Sequence, residues 1–348
     1  MHLTERLISF QQELEPKLDV VLNKIEQDTI PLTQNERILS LISQLREVSK
    51  NGKRVRPFLT EEVYRLHTDE LEDISQVLVA IELFHLFCLV HDDVMDEASI
   101  RHGAETIHKF GTSLYGNRQA QEKISDNQAI LVGDLLFNAV YTEFTEFILG
   151  KANTTELLRH FSTMVHEVCI GQMIDVDLQG DLTPSNETLV KKNTLKTAYY
   201  SIIRPMQLGA LIAQKPEALP ALEKIGFEIG LMYQLQDDLL DIGLEKNKTG
   251  KNLYADITQS QPTILTNYIQ NNAPELFEDL EPFFGKMIAE EDYSRLYSLF
   301  SESGAIDYAE LQIATHLEAA ENIIKAFESE PEKEFFTELL DFLHKRKK

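Results

Sequence analysis

The chain has 348 residues, with 33 Lys plus Arg against 57 Asp plus Glu, a formal net charge of −24. Hydrophobic residues make up 43% and charged residues 26%, a globular mixture with too much apolar material for a disordered chain. An excess of acid this large argues against a nucleic-acid binder and against electrostatic docking on anionic lipid, since both need a basic face.

The apolar residues recur every three to four positions nearly everywhere, the period of an amphipathic helix. With only 15 glycines and 11 prolines as breakers, the chain reads as all-α. The expected helices cover 3–27, 35–48, 56–67 and 71–98, the last apolar on most sides. A polar stretch at 111–128 reads as a helix end followed by an exposed loop. Helices resume at 129–149, 154–179, 186–213, 217–245 and 262–271, with more to about 345. The longest expected loop is 243–262. No composition shift marks a boundary, so residues 1–348 read as one all-helical domain. Cys88 and Cys169 are too few for a disulfide framework or a cysteine metal site. No signal peptide and no membrane span is expected, which makes the cytoplasm the default compartment.

Two acidic clusters stand out. Asp92, Asp93 and Asp96 end one apolar helix, and Asp237, Asp238 and Asp241 end another, each with the spacing D-D-x-x-D. Carboxylates four residues apart lie on one helix face, about 6 Å apart along the axis. They repel each other, and the helix C-terminus disfavours them further. A single such cluster reads equally well as a solvated helix end. Two copies on strongly apolar helices point to a cation, and Mg²⁺ suits hard carboxylate oxygens combined with substrate phosphates.

A cationic counterpart exists in spite of the global charge. In Gly52-Lys53-Arg54-Val55-Arg56-Pro57, Lys53 and Arg56 are three apart and Pro57 suits the first position of a helix, which reads as a phosphate site or as a basic surface turn. Arg101 and His102 follow the first acidic cluster. Lys196 and Thr197 place an ammonium beside a hydroxyl, and Lys251 follows the second cluster. His85 lies two turns before Asp92 on nearly the same face, so a ligand and a core residue are both open readings. Gln172 and Asp175 are polar within an apolar pattern and either line a cavity or satisfy each other.

These motifs, in this order, resemble the trans-isoprenyl diphosphate synthases, or polyprenyl synthetases. The resemblance runs through GKRVRP (52–57), ELFHLFCLVHDDVMD (82–96), RHG (101–103), AILVGD (129–134), GQMID (171–175), KTAYY (196–200), YQLQDDLLD (233–241) and TGK (249–251). It implies a single bundle of antiparallel helices around a deep central cavity, usually a homodimer, with three Mg²⁺ per active site. Asp92, Asp96 and Asp237 would be the main metal ligands, supported by Asp93, Asp238 and Asp241. Arg101, Lys196, Thr197, Gln234 and Lys251 would contact an allylic diphosphate. Lys53, Arg56, His85 and His102 would hold isopentenyl diphosphate, and Arg346 in the basic tail could assist. Three positions depart from the usual pattern: Asn51 stands for Gly, His102 for Arg, and Gln261 for Lys.

The implied reaction is a head-to-tail condensation that releases diphosphate from an allylic partner in a water-free pocket. Depth below the first acidic face would set product length. Phe87 lies about 7.5 Å and Phe84 about 12 Å deeper along the helix. An aromatic residue at Phe87 with a small one at Cys88 resembles synthases of the twenty-carbon product, geranylgeranyl diphosphate. A farnesyl or longer product, or a weakly catalytic subunit of a heteromeric synthase, are the alternatives.

Overall fold

Helices take up almost all of the chain, because the period of 3–4 gives each segment one apolar stripe that must be buried against another. The computed structural model describes residues 2–116, 118–244 and 253–345. Two units are distinguished, Leu3–Leu158 and Arg159–Lys348.

In the first unit, α1 (Leu3–Thr29) buries a single seam of Leu3, Leu7, Phe10, Leu14, Leu18 and Leu22. Helix α2 (Glu36–Ser49) starts at Asn35, whose side chain accepts from the Arg37 amide. Helix α3 (Val55–His67) starts after Arg54, which is in the left-handed region. Pro57 therefore occupies the third helical position and not the first, where it is still tolerated because the first-turn amides have no intrahelical partner. Helix α4 (Ser75–Met95) buries an unbroken run from Val77 to Phe84. It is shorter than the expected 71–98 at both ends.

Strands β1 (Ile100–Arg101) and β2 (Ala104–Glu105) form a small antiparallel hairpin that the helical periodicity does not signal. Its turn residues His102 and Gly103 both have positive φ, 52° and 86°, as a tight two-residue hairpin requires. Helix α5 is Ile107–Leu114 and α6 is Gln121–Ile148. The expected loop at 111–128 is thus mostly helix. Its polar residues are the solvent face of the first turns of α6, with Ser125 buried beneath them. Helix α4 packs along α6. The contact is close at Gly133, where a Cβ would lie 2.2 Å from the His91 ring.

Helix α7 (Thr154–Asp177) begins in the first unit and continues into the second. There α8 (Asn186–Asn193) runs into a π-helical segment, Thr194–Ile203, and then α9 (Arg204–Ile212). The expected single α-helix over 186–213 is therefore wound differently in its middle third. Close approach by α7 accompanies this change, since a Cβ on Gly171 would lie 2.6 Å from the Lys196 amide nitrogen. Helix α10 (Leu219–Asp241) follows. Part of the expected loop at 243–262 is helical: Tyr254, fully buried, donates its hydroxyl to the Gly243 carbonyl and precedes α11 (Ala255–Thr258). Helices α12 (Ile264–Asn272), α13 (Pro274–Leu280), α14 (Tyr293–Glu302), α15 (Ala305–Ala326) and α16 (Glu330–His344) complete the unit. Leu265, Leu296 and Phe300 pack around Tyr254 in its core. Cys88 and Cys169 form no disulfide, and no described helix is long and apolar enough to cross a membrane.

Candidate active site

In the first unit the acidic motif closes α4. Asp92 and Asp96 are half-buried, and the Asp96 amide donates to the Asp92 carbonyl as the helix ends. Asp93 is buried, and Arg101 on β1 donates to its Oδ1 from Nε at 2.9 Å and from Nη2 at 2.5 Å. Burial pushes the Asp93 carboxyl up, and the guanidinium only partly offsets it. The hairpin thus serves to carry Arg101 back to the motif that precedes it.

The basic turn is organised by Arg54, a residue the sequence reading passed over. It is 3% exposed and donates to both oxygens of Glu15, to Glu82 and to the Ser49 carbonyl. A buried guanidinium with these partners fixes the loop that presents exposed Lys53 and half-buried Arg56. The sequence signal for it was a cation in a turn rich in cations, followed by Glu82 in an otherwise apolar run.

His85 and His102 belong to the same cationic region. Loss of water and the neighbouring Arg56 hold His85 well below its ordinary range. His102 is also lowered by burial, and its Nδ1 donates to the Val48 carbonyl at 3.1 Å. Where the family pattern carries a second arginine, this chain therefore presents an uncharged ring at neutral pH.

Below the acidic face lies an aromatic cluster. Phe84 and Phe87 have ring centroids 5.8 Å apart, and Phe84 is fully buried. Phe137 of α6 joins them, 5.0 Å from Phe87 and 6.2 Å from Phe84. The His91 ring lies 4.6 Å from Phe87, and half-buried Cys88 follows on α4. Phe137 was missed because it lies 50 residues after Phe87 in sequence, and only the packing of α6 on α4 brings the rings together.

The second unit gathers its groups around the end of α10. Thr197 donates to Gln234 Oε1 at 2.7 Å, and Gln234 donates on to Asp238 at 2.8 Å. Asp241 accepts the Ala255 and Asp256 amides at the start of α11. Lys192 and Lys196 both lie on Asp175, at 3.0 Å and 2.5 Å. Asp175 is thus satisfied by lysines. The unusual Gln261 is buried and donates to the Asp175 carbonyl at 3.3 Å. Lys251 and Arg346 lie outside the described residues.

Charge in this unit is poorly balanced. Loss of water, with Asp256 close by, pushes Asp238 up to about 7, and burial pushes Asp256 up to about 6. Burial and Asp256 also raise Asp241. Asp256 was not singled out in the sequence, where it stands alone 15 residues after Asp241. Among the described residues no three His, Cys, Asp or Glu side chains converge to hold an ion by themselves. The donors are nevertheless hard carboxylate oxygens, of which Asp93, Asp238, Asp241 and Asp256 lack full compensation, and they fit a divalent cation that brings phosphate ligands of its own.

Comparison with known proteins agrees with this chemistry. The polyprenyl synthetase family matches residues 39–300. A relative from Methanocaldococcus jannaschii, described as a short chain isoprenyl diphosphate synthase, is 31% identical over 74% of each chain. Another from Natronomonas pharaonis, described as a geranylfarnesyl diphosphate synthase, is 22% identical over 94% of this chain and 95% of its own. The geranylgeranyl pyrophosphate synthase of Corynebacterium glutamicum, solved with isoprenyl diphosphate and magnesium, shares the fold with a TM-score of 0.85 and 24% identity, covering 96% of this chain and 99% of its own. The chain belongs to the polyprenyl synthetase family. It is a trans-prenyltransferase.

The raised carboxylates make a pH prediction. Between their unfolded value near 4 and their folded values, the native state binds more protons than the unfolded state, so stability is lost as pH rises. His108 and His160, held neutral down to about 4 by burial, act in the opposite sense below pH 6.5. A comparison with Asp238→Asn isolates the carboxylate. Without metal, the variant should unfold at a higher temperature than the parent at pH 8, and by a clearly smaller margin at pH 5. An equal effect at both pH values would contradict the assignment.

Proposed function

We propose that this chain condenses isopentenyl diphosphate with an allylic diphosphate, head to tail, and that its main product is geranylgeranyl diphosphate. The observation that carries the reaction is that each unit pairs a D-D-x-x-D helix end with a cluster of lysine or arginine. Residues 1–348 work in this reading as one synthase domain.

Lys53 and Arg56 grip the diphosphate of isopentenyl diphosphate, and Arg54 holds their turn in place. His85 and neutral His102 complete that contact as hydrogen-bonding rings. Lys196, Thr197 and Gln234 meet the allylic diphosphate, joined by Arg101 and Lys251. Asp92, Asp96 and Asp237 would hold Mg²⁺, three ions in all, with Asp93, Asp238 and Asp241 in support. When bound, Mg²⁺ supplies Lewis-acid stabilisation of the leaving diphosphate. The relative positions of Arg101 and Asp93 keep the guanidinium aimed while it waits for substrate, since it is already desolvated and bonded. The apolar rings exclude water, so that the allylic cation meets the isopentenyl double bond and not hydrolysis.

Product length rests on the ring cluster of Phe84, Phe87 and Phe137, with Cys88 leaving room beside it. The named relatives differ in the products their names give, so the length is argued here from this chain's own rings. A homodimer fits a row of exposed apolar residues on α6, Ile130, Leu131, Leu135 and Tyr141, which a second copy would cover.

Lys53→Ala should raise the KM for isopentenyl diphosphate by about 10–100-fold, as expected for one charged hydrogen bond, with the allylic KM little changed. Equal rises in both would reassign the turn. Phe87→Ala should open the floor and lengthen the product by at least one isoprene unit, read by chromatography of the labelled products. An unchanged product would remove the ring cluster from the account of length.

A further inference from the structure

Two lysines on one buried carboxylate leave a net charge of +1, and the residue that provides this surplus is Lys192. Lys192 and Lys196 are one helical turn apart and reach the two oxygens of Asp175, at 3.0 Å and 2.5 Å. The Lys192 ammonium also donates to the Pro262 carbonyl at 3.4 Å, next to Gln261. Gln261 is 7% exposed, bonds the Asp175 carbonyl, and leaves its own Oε1 without a partner. Its neutral amide therefore occupies the same corner but brings no charge.

We propose that Lys192 is a positioning residue for the allylic diphosphate: it neutralises Asp175 so that Lys196 meets the substrate as a net cation. Without Lys192, Lys196 and Asp175 form a neutral pair, and a buried carboxylate would hold its one remaining partner. The field of Lys192 extends to Asp238 and Asp256, where it favours the ionised carboxylates. In this chain the charge absent at position 261 is thus delivered from α8. The inference rests on the reading that Lys196 contacts the allylic diphosphate.

Steady-state kinetics of the full chain with Mg²⁺ test it. Lys192→Gln should raise the allylic KM by about tenfold, the scale of one charged contact, and leave the KM for isopentenyl diphosphate within about twofold. Lys192→Arg should stay near the parent. Gln261→Lys, added to Lys192→Gln, should restore much of the allylic affinity. An unchanged allylic KM, equal rises in both KM values, or a fall in kcat and thermal midpoint alone would overturn the inference. Should Lys192→Gln not fold, the double variant Lys192→Gln/Asp175→Asn removes both charges together. A near-parental allylic KM supports the proposal, and a tenfold rise overturns it. Lys196→Met separates the two levels: an unaltered allylic KM there sinks the reading of Lys196 itself, whereas a rise there without one in Lys192→Gln sinks only the role of Lys192.

Discussion

Carboxylates at the C-terminal ends of helices are unfavourable twice over, by mutual repulsion and by the helix dipole, and this chain places D-D-x-x-D at the ends of both α4 and α10. Each unit holds that charge in its own way. In the first, a hairpin returns Arg101 to Asp93. In the second, Thr197 and Gln234 form a relay of hydrogen bonds to Asp238, while backbone amides of α11 cap Asp241. Neither arrangement fully compensates the acids, as the raised Asp93, Asp238, Asp241 and Asp256 attest. The charge left over is what a metal-bound diphosphate would satisfy, so local instability and ligand affinity have one cause.

The cations follow from the same constraint. A chain with net charge −24 repels a diphosphate at long range, so attraction has to be local. Arg54 spends its charge on Glu15 and Glu82 and becomes structural, between Lys53 and Arg56 in the same turn. Lys192 and Lys196 share a single acid. In both units the pattern is a buried ion pair that orients a neighbouring cation.

Much of this was legible in the residues. The apolar period located most helices, and the repeated acid spacing identified the ends of α4 and α10 together with the basic turn. What escaped reading depends on tertiary contact or on subtle winding. Phe137 meets Phe87 only through the packing of α6 on α4. The π-helical stretch over Thr194–Ile203 has ordinary helical composition, and the requirement shows itself only in the bare Gly171 against the Lys196 backbone. The hairpin at 100–105 is too short for a strand period, although His-Gly at its turn was a faint sign. The polar start of α6 misled because a solvent-facing helix turn and a loop share the same composition.

Chain elongation, to a length set by three phenylalanine rings, is the reaction proposed for this chain. Its most direct measurement is a product assay of the full chain with Mg²⁺, labelled isopentenyl diphosphate and each of the five-, ten- and fifteen-carbon allylic primers. A twenty-carbon product from these primers is the predicted result. A failure to extend any primer would contradict the account.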